Sequence, residues 1–317
     1  MEALTIGTPE ITVTALPAHG FTVSSIADRA SGAEALWMRS RHDPAPCSRA
    51  LGPAGEPSIA TFLDVWAGGW FEMFPTVGYP RESDATSLLH GELVRLPWEV
   101  TRHDGRELEA VVTTVRSPFR VVRALEVEGS TLTVRERVEN VGGEAARYLW
   151  GHHPCFARAT FAGGRIEVDV EQAEVPEPPF DPPAAILVPG TPFEWPDAPG
   201  RDGPVDVAAI PTDPDGRTDH VQARLRSGRL RLTAPLYGRA LTLEFELEQF
   251  PHLLLWENFR ASGGFPFWRD SDTFALEPSS NPGRTVADAD AADAERSLAG
   301  GHVLETEISV TWGPLEP

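Results

Sequence analysis

The feature that most constrains this chain is a period-two alternation of apolar and polar residues, repeated along much of its length. In Thr131–Glu139, Leu132, Val134 and Val138 share one face, while Thr133, Arg135, Arg137 and Glu139 lie on or border the other. Leu241–Leu247 sets Leu241, Leu243, Phe245 and Leu247 against Thr242, Glu244 and Glu246. Further segments of this kind are Ile11–Leu16, Phe21–Ile26, Glu109–Arg116, Phe119–Val127, Ile166–Val170, Val221–Arg226, Arg229–Thr233 and Glu307–Trp312. Side chains alternate across a strand, so these segments predict half-buried antiparallel strands with the apolar side inward. Asp104-Gly105, Gly142-Gly143 and Ser227-Gly228 supply turn residues between them. Helical signals are weak. Ala287–Leu298 is rich in alanine but has almost no apolar stripe, which predicts a short surface helix or a solvated loop. Prolines cluster in Val175–Pro183 and Pro189–Pro214, expected to be long surface connections. The fold class expected is all-β: a single domain over residues 1–317, a large antiparallel β-sandwich.

Composition removes several function classes. The formal net charge is −20, so the surface repels phosphate backbones, and neither nucleic acid nor an anionic membrane is an expected partner. All 27 basic residues other than histidine are arginine. Without a lysine amine there is no Schiff-base aldolase, no pyridoxal-phosphate enzyme and no P-loop ATPase. No stretch approaches the ~18 uninterrupted apolar residues of a membrane helix, and Met1–Gly7 lacks the basic and apolar regions of a secretory signal. Cys47 and Cys155 are too few for a disulfide framework and have no CxxC spacing for zinc. The expectation is a cytoplasmic monomer or homodimer with no cofactor and no metal.

Four segments resist explanation as plain strand or turn. Gly68-Gly69-Trp70-Phe71-Glu72-Met73-Phe74-Pro75 allows close backbone approach and offers Trp70 as a flat face for a sugar ring, or else forms a core aromatic cluster at a bend. Glu72 either binds a hydroxyl or is simply solvated. In Leu89-His90-Gly91, a histidine beside glycine can stand in a pocket wall and donate to a hydroxyl, although lone histidines are more often structural. In Trp150-Gly151-His152-His153-Pro154, an extended backbone sends the two histidines to opposite faces, so one faces inward, one outward, and they do not readily share a metal. A histidine facing a cleft there suits proton transfer, since its unperturbed pKa is ~6.5. The alternative is one surface and one core histidine. His19, His42, His103, His220, His252 and His302 lack comparable surroundings and are assigned no site role. Finally, Phe274-Ala275-Leu276-Glu277-Pro278 puts a carboxylate at the end of a buried strand, costly unless used or paired. Partial desolvation would raise its pKa toward that of a working base; a salt bridge to Arg284 or Arg260 is the structural alternative. Trp256, in Leu253–Asn258, could floor the same cleft.

Taken in order, these segments resemble the aldose 1-epimerase, or galactose mutarotase-like, family. His90-Gly91 with Arg95 and Pro97-Trp98 looks like its His-Gly segment, and His153-Pro154-Cys155-Phe156 like its His-Pro-Tyr-Phe segment. Leu276-Glu277-Pro278 looks like its Glu-Pro segment, and Gly68-Gly69-Trp70 with Phe74-Pro75 like a Gly-Gly segment before the His-Gly. The order agrees from about Gly68 to the C-terminus. The resemblance implies a galactose mutarotase-like supersandwich and an isomerase acting on a small-molecule carbohydrate. It makes Glu277 the general base, His153 the general acid and His90 a substrate contact; His152, Trp70, Trp256 and Glu72 complete the expected binding set. Cys155 replaces the family's tyrosine. The early Asn-Arg pair has no clear equivalent, although Arg81 lies in a suitable stretch, and the substrate-contacting aspartate has no match.

Three other readings compete. A sugar-phosphate or acidic-sugar epimerase would need arginines in the cleft, for which Arg81, Arg260 and Arg269 are available. A non-catalytic carbohydrate-binding or sensing protein would bind without exchanging anomers. Glycoside cleavage would need a second carboxylate, Glu257 or Glu72, across from Glu277.

Overall fold

Strands that alternate in this way bury one face each, and the chain satisfies them all by wrapping one sheet around a shared core. The computed structural model describes residues 2–40, 43–81, 84, 86–178, 181 and 183–316. A 16-stranded antiparallel sheet begins at Leu4–Gly7 and Ile11–Leu16 and passes through Thr22–Asp28, Trp70–Met73, Gly151–Ala157, Asp272–Ser279 and His252–Phe259. It continues through the long His220–Ala234 strand to Arg239–Phe245, Val303–Pro314, Thr131–Asn140, Phe119–Glu128, Glu107–Thr113 and Glu99–His103. Ile166–Val175 and Thr191–Phe193 branch from His220–Ala234. The two ends of the path meet: Gly7 N donates to Gly105 O at 2.9 Å, and the His103 ring lies 3.1 Å from Thr5 O. The exposed edges of an open sheet are thereby largely removed. Among the described residues, no helix is long and apolar enough to cross a membrane.

The alternation seen in the sequence is the burial pattern. Leu132, Val134 and Val138 are buried, as are Phe119, Val121, Leu125 and Val127 on the paired strand. Two charged residues occupy the same inward rows. Arg123 and Glu136 are partners in the register of these strands, both buried, with Arg123 Nε 3.0 Å from Glu136 Oε1.

The structure departs from expectation in three places. Val221–Arg226 and Arg229–Thr233 belong to one 15-residue strand instead of two. Ser227-Gly228 does not turn; a Cβ at Gly228 would lie 1.9 Å from Phe245 O, so glycine is there to let the neighbouring chain pass. The Ala287–Leu298 segment divides into a helix, Val286–Ala291, and a strand, Arg296–Leu298, paired with Ala146–Tyr148. A capping box closes the helix start: Asp288 N donates to Thr285 Oγ1 while Thr285 N donates to Asp288 Oδ2. The third departure is a helix at Ser58–Val65 that no strand pattern announced.

Candidate functional site

Four neighbouring strands build the floor of a cleft through their register alone. Gly151–Ala157 and Asp272–Ser279 pair so that Gly151 meets Ser279 and Cys155 meets Ala275, which sets His153 opposite Glu277. On the outer side, His153 pairs with Phe71; beyond Glu277 comes Leu254. The next row of the same face runs Cys155, Ala275, Trp256 and His220. Ile59, Phe62, Leu63 and Trp66 roof the cleft from the Ser58–Val65 helix, joined by Tyr79, His90, Phe267 and Arg284. The spacing of Ile59, Phe62, Leu63 and Trp66 is that of one helical face, which is how this segment turns four apolar side chains toward a single wall. Most of the lining is apolar or aromatic, with the polar groups gathered at the floor and at one end.

The polar centre is the His153–Glu277 pair. Nε2 of His153 lies 3.3 Å from Oε1 of Glu277, and both residues are largely buried. Phe71 stacks on the imidazole at 4.6 Å between ring centres, and His90 and Trp256 approach it edge-on. Burial raises the Glu277 carboxyl well above its ordinary range and lowers His153 to about 3. Each group alone is therefore held neutral. Across 3.3 Å, however, moving the proton from Glu277 to His153 creates an ion pair with the same total proton count. The pair holds one proton that can sit on either member.

Cys155 sets the orientation of the imidazole. Its sulfur is 3.4 Å from His153 Nδ1, and burial pushes the thiol well up, so it keeps its proton. With Nδ1–H donating toward the sulfur, Nε2 is left as the bare nitrogen that can take the proton of the neutral Glu277 carboxyl. The Trp66 side chain also hydrogen-bonds the sulfur.

Of the other residues singled out in the sequence, His90 and Trp256 line the cleft. His90 has a positive φ of 56° beside Gly91 at 75°. Its Nδ1 is buried without a hydrogen-bond partner among the described residues. Burial first, then the nearby His153, holds its pKa well below the usual histidine value.

Trp70, Glu72, His152 and Arg81 do not reach the cleft. His152 and Glu72 are strand partners on the opposite face of the sheet, where the two histidines separate as alternation requires. Neither face is solvent: His152 is fully buried, so the expected outward histidine points into the core instead. Trp70 Nε1–H donates to His152 Nδ1 at 3.3 Å, and His152 Nε2 lies 3.2 Å from Glu136. Glu72, Glu136, Arg123, His152 and Trp70 thus form one closed buried cluster. Burial, then the charge of Glu136, pushes Glu72 up to about 8, so it stays protonated and hydrogen-bonds Glu136. Burial lowers His152 to about 3. Trp70, at 1% exposure, has no face to offer a ligand. Arg81 borders a separate polar depression and is held by Asp290, at 2.7 Å, and Asp84. Its guanidinium is already engaged.

Sequence reasoning missed His220, Tyr79, Phe62, Trp66 and Phe267, all of which line the cleft, and named Arg284 only as an ion-pair partner for Glu277; among the described residues Glu277 pairs instead with His153, and Arg260 lies near Asp272. His220 had no local signal, because register alone brings it beside Trp256. The arginines considered for an acidic substrate, Arg81, Arg260 and Arg269, are not in the lining; Arg284 is. Glu277 is the only carboxylate lining the cleft among the described residues. Glu257 faces away and is bound to Arg217 at 2.7 Å, and Glu72 is sealed in the core, so the two-carboxylate arrangement of glycoside cleavage is absent among the described residues. No group of three His, Cys, Asp or Glu side chains there is placed to hold a metal ion.

No protein-family model matches the chain, and no curated protein does. Solved structures do. A candidate aldose 1-epimerase from Escherichia coli K12 is 18% identical, with 99% of each chain covered and a TM-score of 0.67. A candidate aldose 1-epimerase from Klebsiella pneumoniae subsp. pneumoniae MGH 78578 is 15% identical, with 98% of this chain and 79% of that chain covered and a TM-score of 0.72. A galactose mutarotase related enzyme from Lactobacillus acidophilus is 15% identical, with 99% and 98% covered and a TM-score of 0.66. The likeness extends over nearly the whole chain and is one of architecture: the protein has the galactose mutarotase-like β-sandwich fold.

Proposed function

We propose that this protein interconverts the α and β anomers of a cyclic aldose by general acid–base ring opening. The observation that carries the reading is the His153–Glu277 contact, two proton-transfer groups 3.3 Å apart that share one proton at the floor of an aromatic cleft. In the ion-pair form, the Glu277 carboxylate takes the proton of the anomeric hydroxyl. The His153 imidazolium gives its proton to the ring oxygen as the bond from that oxygen to C1 breaks. The product is an open-chain aldehyde, with the pair again holding one proton. Rotation about C1–C2 presents the other carbonyl face. Reclosure reverses both transfers and inverts the anomeric centre. Neither metal nor redox cofactor enters this balance. Each proton transfer contributes typically ~10²–10⁴-fold, enough together for useful acceleration.

Aromatic walls suit the C–H faces of a pyranose, and His90 and His220 are placed to meet its hydroxyls. The likeness to candidate aldose 1-epimerases supports the same chemistry. Polarimetry on freshly dissolved single anomers tests it. Wild-type protein is expected to accelerate the approach to rotational equilibrium, and Glu277→Gln to abolish the acceleration while leaving the thermal melt intact. A protein that binds sugar yet leaves exchange at the buffer rate would be a binding or sensing module instead.

A further inference from the structure

One cation in the cleft has no part in the ring-opening chemistry. Arg284 is the only arginine lining the cleft among the described residues and is 8% exposed. Its backbone is pinned: Tyr79 N donates to Arg284 O at 2.7 Å, and Val286 N donates to Tyr79 O at 3.1 Å. Its side chain donates through Nη2 to the Pro178 carbonyl. A guanidinium has five N–H donors, and among the described residues no carboxylate forms an ion pair with this one.

Other buried arginines are differently provided for. Arg123 has Glu136 at 3.0 Å, Arg158 has Asp272 at 2.6 Å and Arg217 has Glu257 at 2.7 Å. Arg95, without an acid, spreads over the oxygens of Gly91, Thr61, Ser58 and Leu89. Among the described residues, Arg284 has one side-chain hydrogen bond, no ion pair, and a place in the cleft wall. The nearest charge felt by Arg284 after the Tyr79 phenol is Asp288, whose carboxylate already accepts from Thr285 N at 2.8 Å in the helix cap. A largely desolvated guanidinium with no carboxylate partner is stabilised by an incoming anion.

Its position relative to the acid–base pair is informative. Tyr79 N donates to Arg284 O at 2.7 Å, and the Arg284 charge adds to burial in lowering His220 and opposes the rise that burial gives the Tyr79 phenol, so these three lie close. His220 lies two strands away from Glu277, with His252–Phe259 between them. The cation therefore stands at the His220–Tyr79 end of the cleft, apart from the reacting centre. His90, His153 and His220 are all pushed toward neutrality, which leaves one fixed positive charge facing the ligand.

We propose that the sugar bound here carries a single carboxylate, as a hexuronic acid does, and that Arg284 receives it with Tyr79 and His220 while the anomeric carbon sits over His153 and Glu277. One guanidinium matches one carboxylate in charge and in two-pronged geometry. A phosphate dianion would leave an uncompensated charge among Phe62, Trp66, Trp256 and Phe267. This assignment rests on the proposed anomer exchange for its orientation, but not for its binding.

The experiment measures both separately. Galacturonate, glucuronate, galactose, glucose and glucose 6-phosphate are compared by calorimetric titration, and their anomer exchange by NMR exchange spectroscopy, with wild type, Arg284→Gln, Arg284→Lys and Glu277→Gln. A uronate is expected to bind and exchange best. Arg284→Gln should weaken its binding by about 10–100-fold, the range for hydrogen bonds between charged groups, with partial recovery in Arg284→Lys. Neutral aldoses binding as well as uronates, a preference for the phosphate, or uronate affinity unchanged in Arg284→Gln would each overturn the proposal. If Arg284→Gln melts abnormally, the wild-type panel and Arg284→Lys decide. Uronate binding through Arg284 without exchange would leave this inference standing and remove the proposed activity. Exchange of neutral aldoses without uronate binding would do the reverse.

Discussion

His153 and Glu277 face each other across two antiparallel strands, and the register that joins Gly151 to Ser279 and Cys155 to Ala275 brings Nε2 within 3.3 Å of Oε1. The site is thus a property of strand pairing rather than of a loop. Shifting either strand by one residue would send one of the two side chains to the far face.

The shared proton makes a statement about pH. His153 gains a second proton for the pair only near its lowered value of about 3, and Glu277 releases the last one only above the ordinary carboxylate range. Between those limits the pair holds one proton, the number the reaction requires. The logarithm of kcat/KM for anomer exchange should be flat from pH 5 to pH 7. An inflection near ~6.5, where an unperturbed histidine titrates, would contradict the coupled pair.

Cys155 is a positioning residue with no contact to the reacting atoms. Cys155→Val keeps the volume but removes the sulfur that accepts from His153 Nδ1–H. A lost neutral hydrogen bond is worth ~1 kcal/mol, so kcat should fall by about 5-fold with KM little changed. Cys155→Ser, which restores an acceptor, should recover part of it. Nitrogen-15 shifts of His153 supply the independent readout: the valine variant should show a mixture of tautomers, and an unchanged tautomer would remove the assigned role.

On the core face of the strand that pairs with Gly151–Ala157, Glu72 shapes stability in the opposite sense from most carboxyls. Its folded pKa of about 8 lies above the unfolded value of ~4.3, so the folded state binds the extra proton between those limits. Stability from this group is present below ~4.3 and is lost as pH rises toward 8, by at most ~1.4 kcal/mol per pH unit. Glu72→Gln keeps a donor for Glu136 and cannot ionise. The melting temperature of the variant relative to wild type should therefore climb from pH 5 to pH 8. A difference independent of pH would mean that Glu72 is already ionised in the folded protein.

Sequence order carried the architecture and the His153–Glu277 contact because both follow from alternation. Leu132, Val134 and Val138 declared their face, and Glu277 declared itself by closing an apolar strand. His90, His153 and Trp256 were likewise legible from their neighbours. Trp70, Glu72 and His152 carried equally suggestive neighbours yet belong to the core, because their strands have a second buried face that local pattern does not distinguish from a cleft. Arg123 and Glu136 were visible as charges on inward rows, and they are what makes that second face polar enough to hold Glu72. The Ile59, Phe62, Leu63 and Trp66 spacing is that of a helix, but the element is only Ser58–Val65, two turns with too few repeats to stand out from the sequence. His220 was not legible, since only pairing between distant strands brings it to the cleft, and Arg284 was legible as a charge near Glu277 but not as part of the cleft lining.

The position of His90 depends on its glycine neighbour. Gly91 has φ +75°, and a Cβ there would lie 2.2 Å from Phe74 O and 2.4 Å from its carbonyl carbon. Neither contact is with a flexible side chain, so Gly91→Ala must move backbone. The left-handed conformation alone costs roughly 1–2 kcal/mol for a residue with a side chain, and the overlap adds to it. The variant should melt lower and bind sugar more weakly through a displaced His90, with KM rising more than kcat falls. Gly105→Ala is the control, because a Cβ there meets nothing within 4 Å. If Gly91→Ala matched that control in melting temperature and KM, the close approach of Gly91 to Phe74 would not be what holds His90 in the cleft wall.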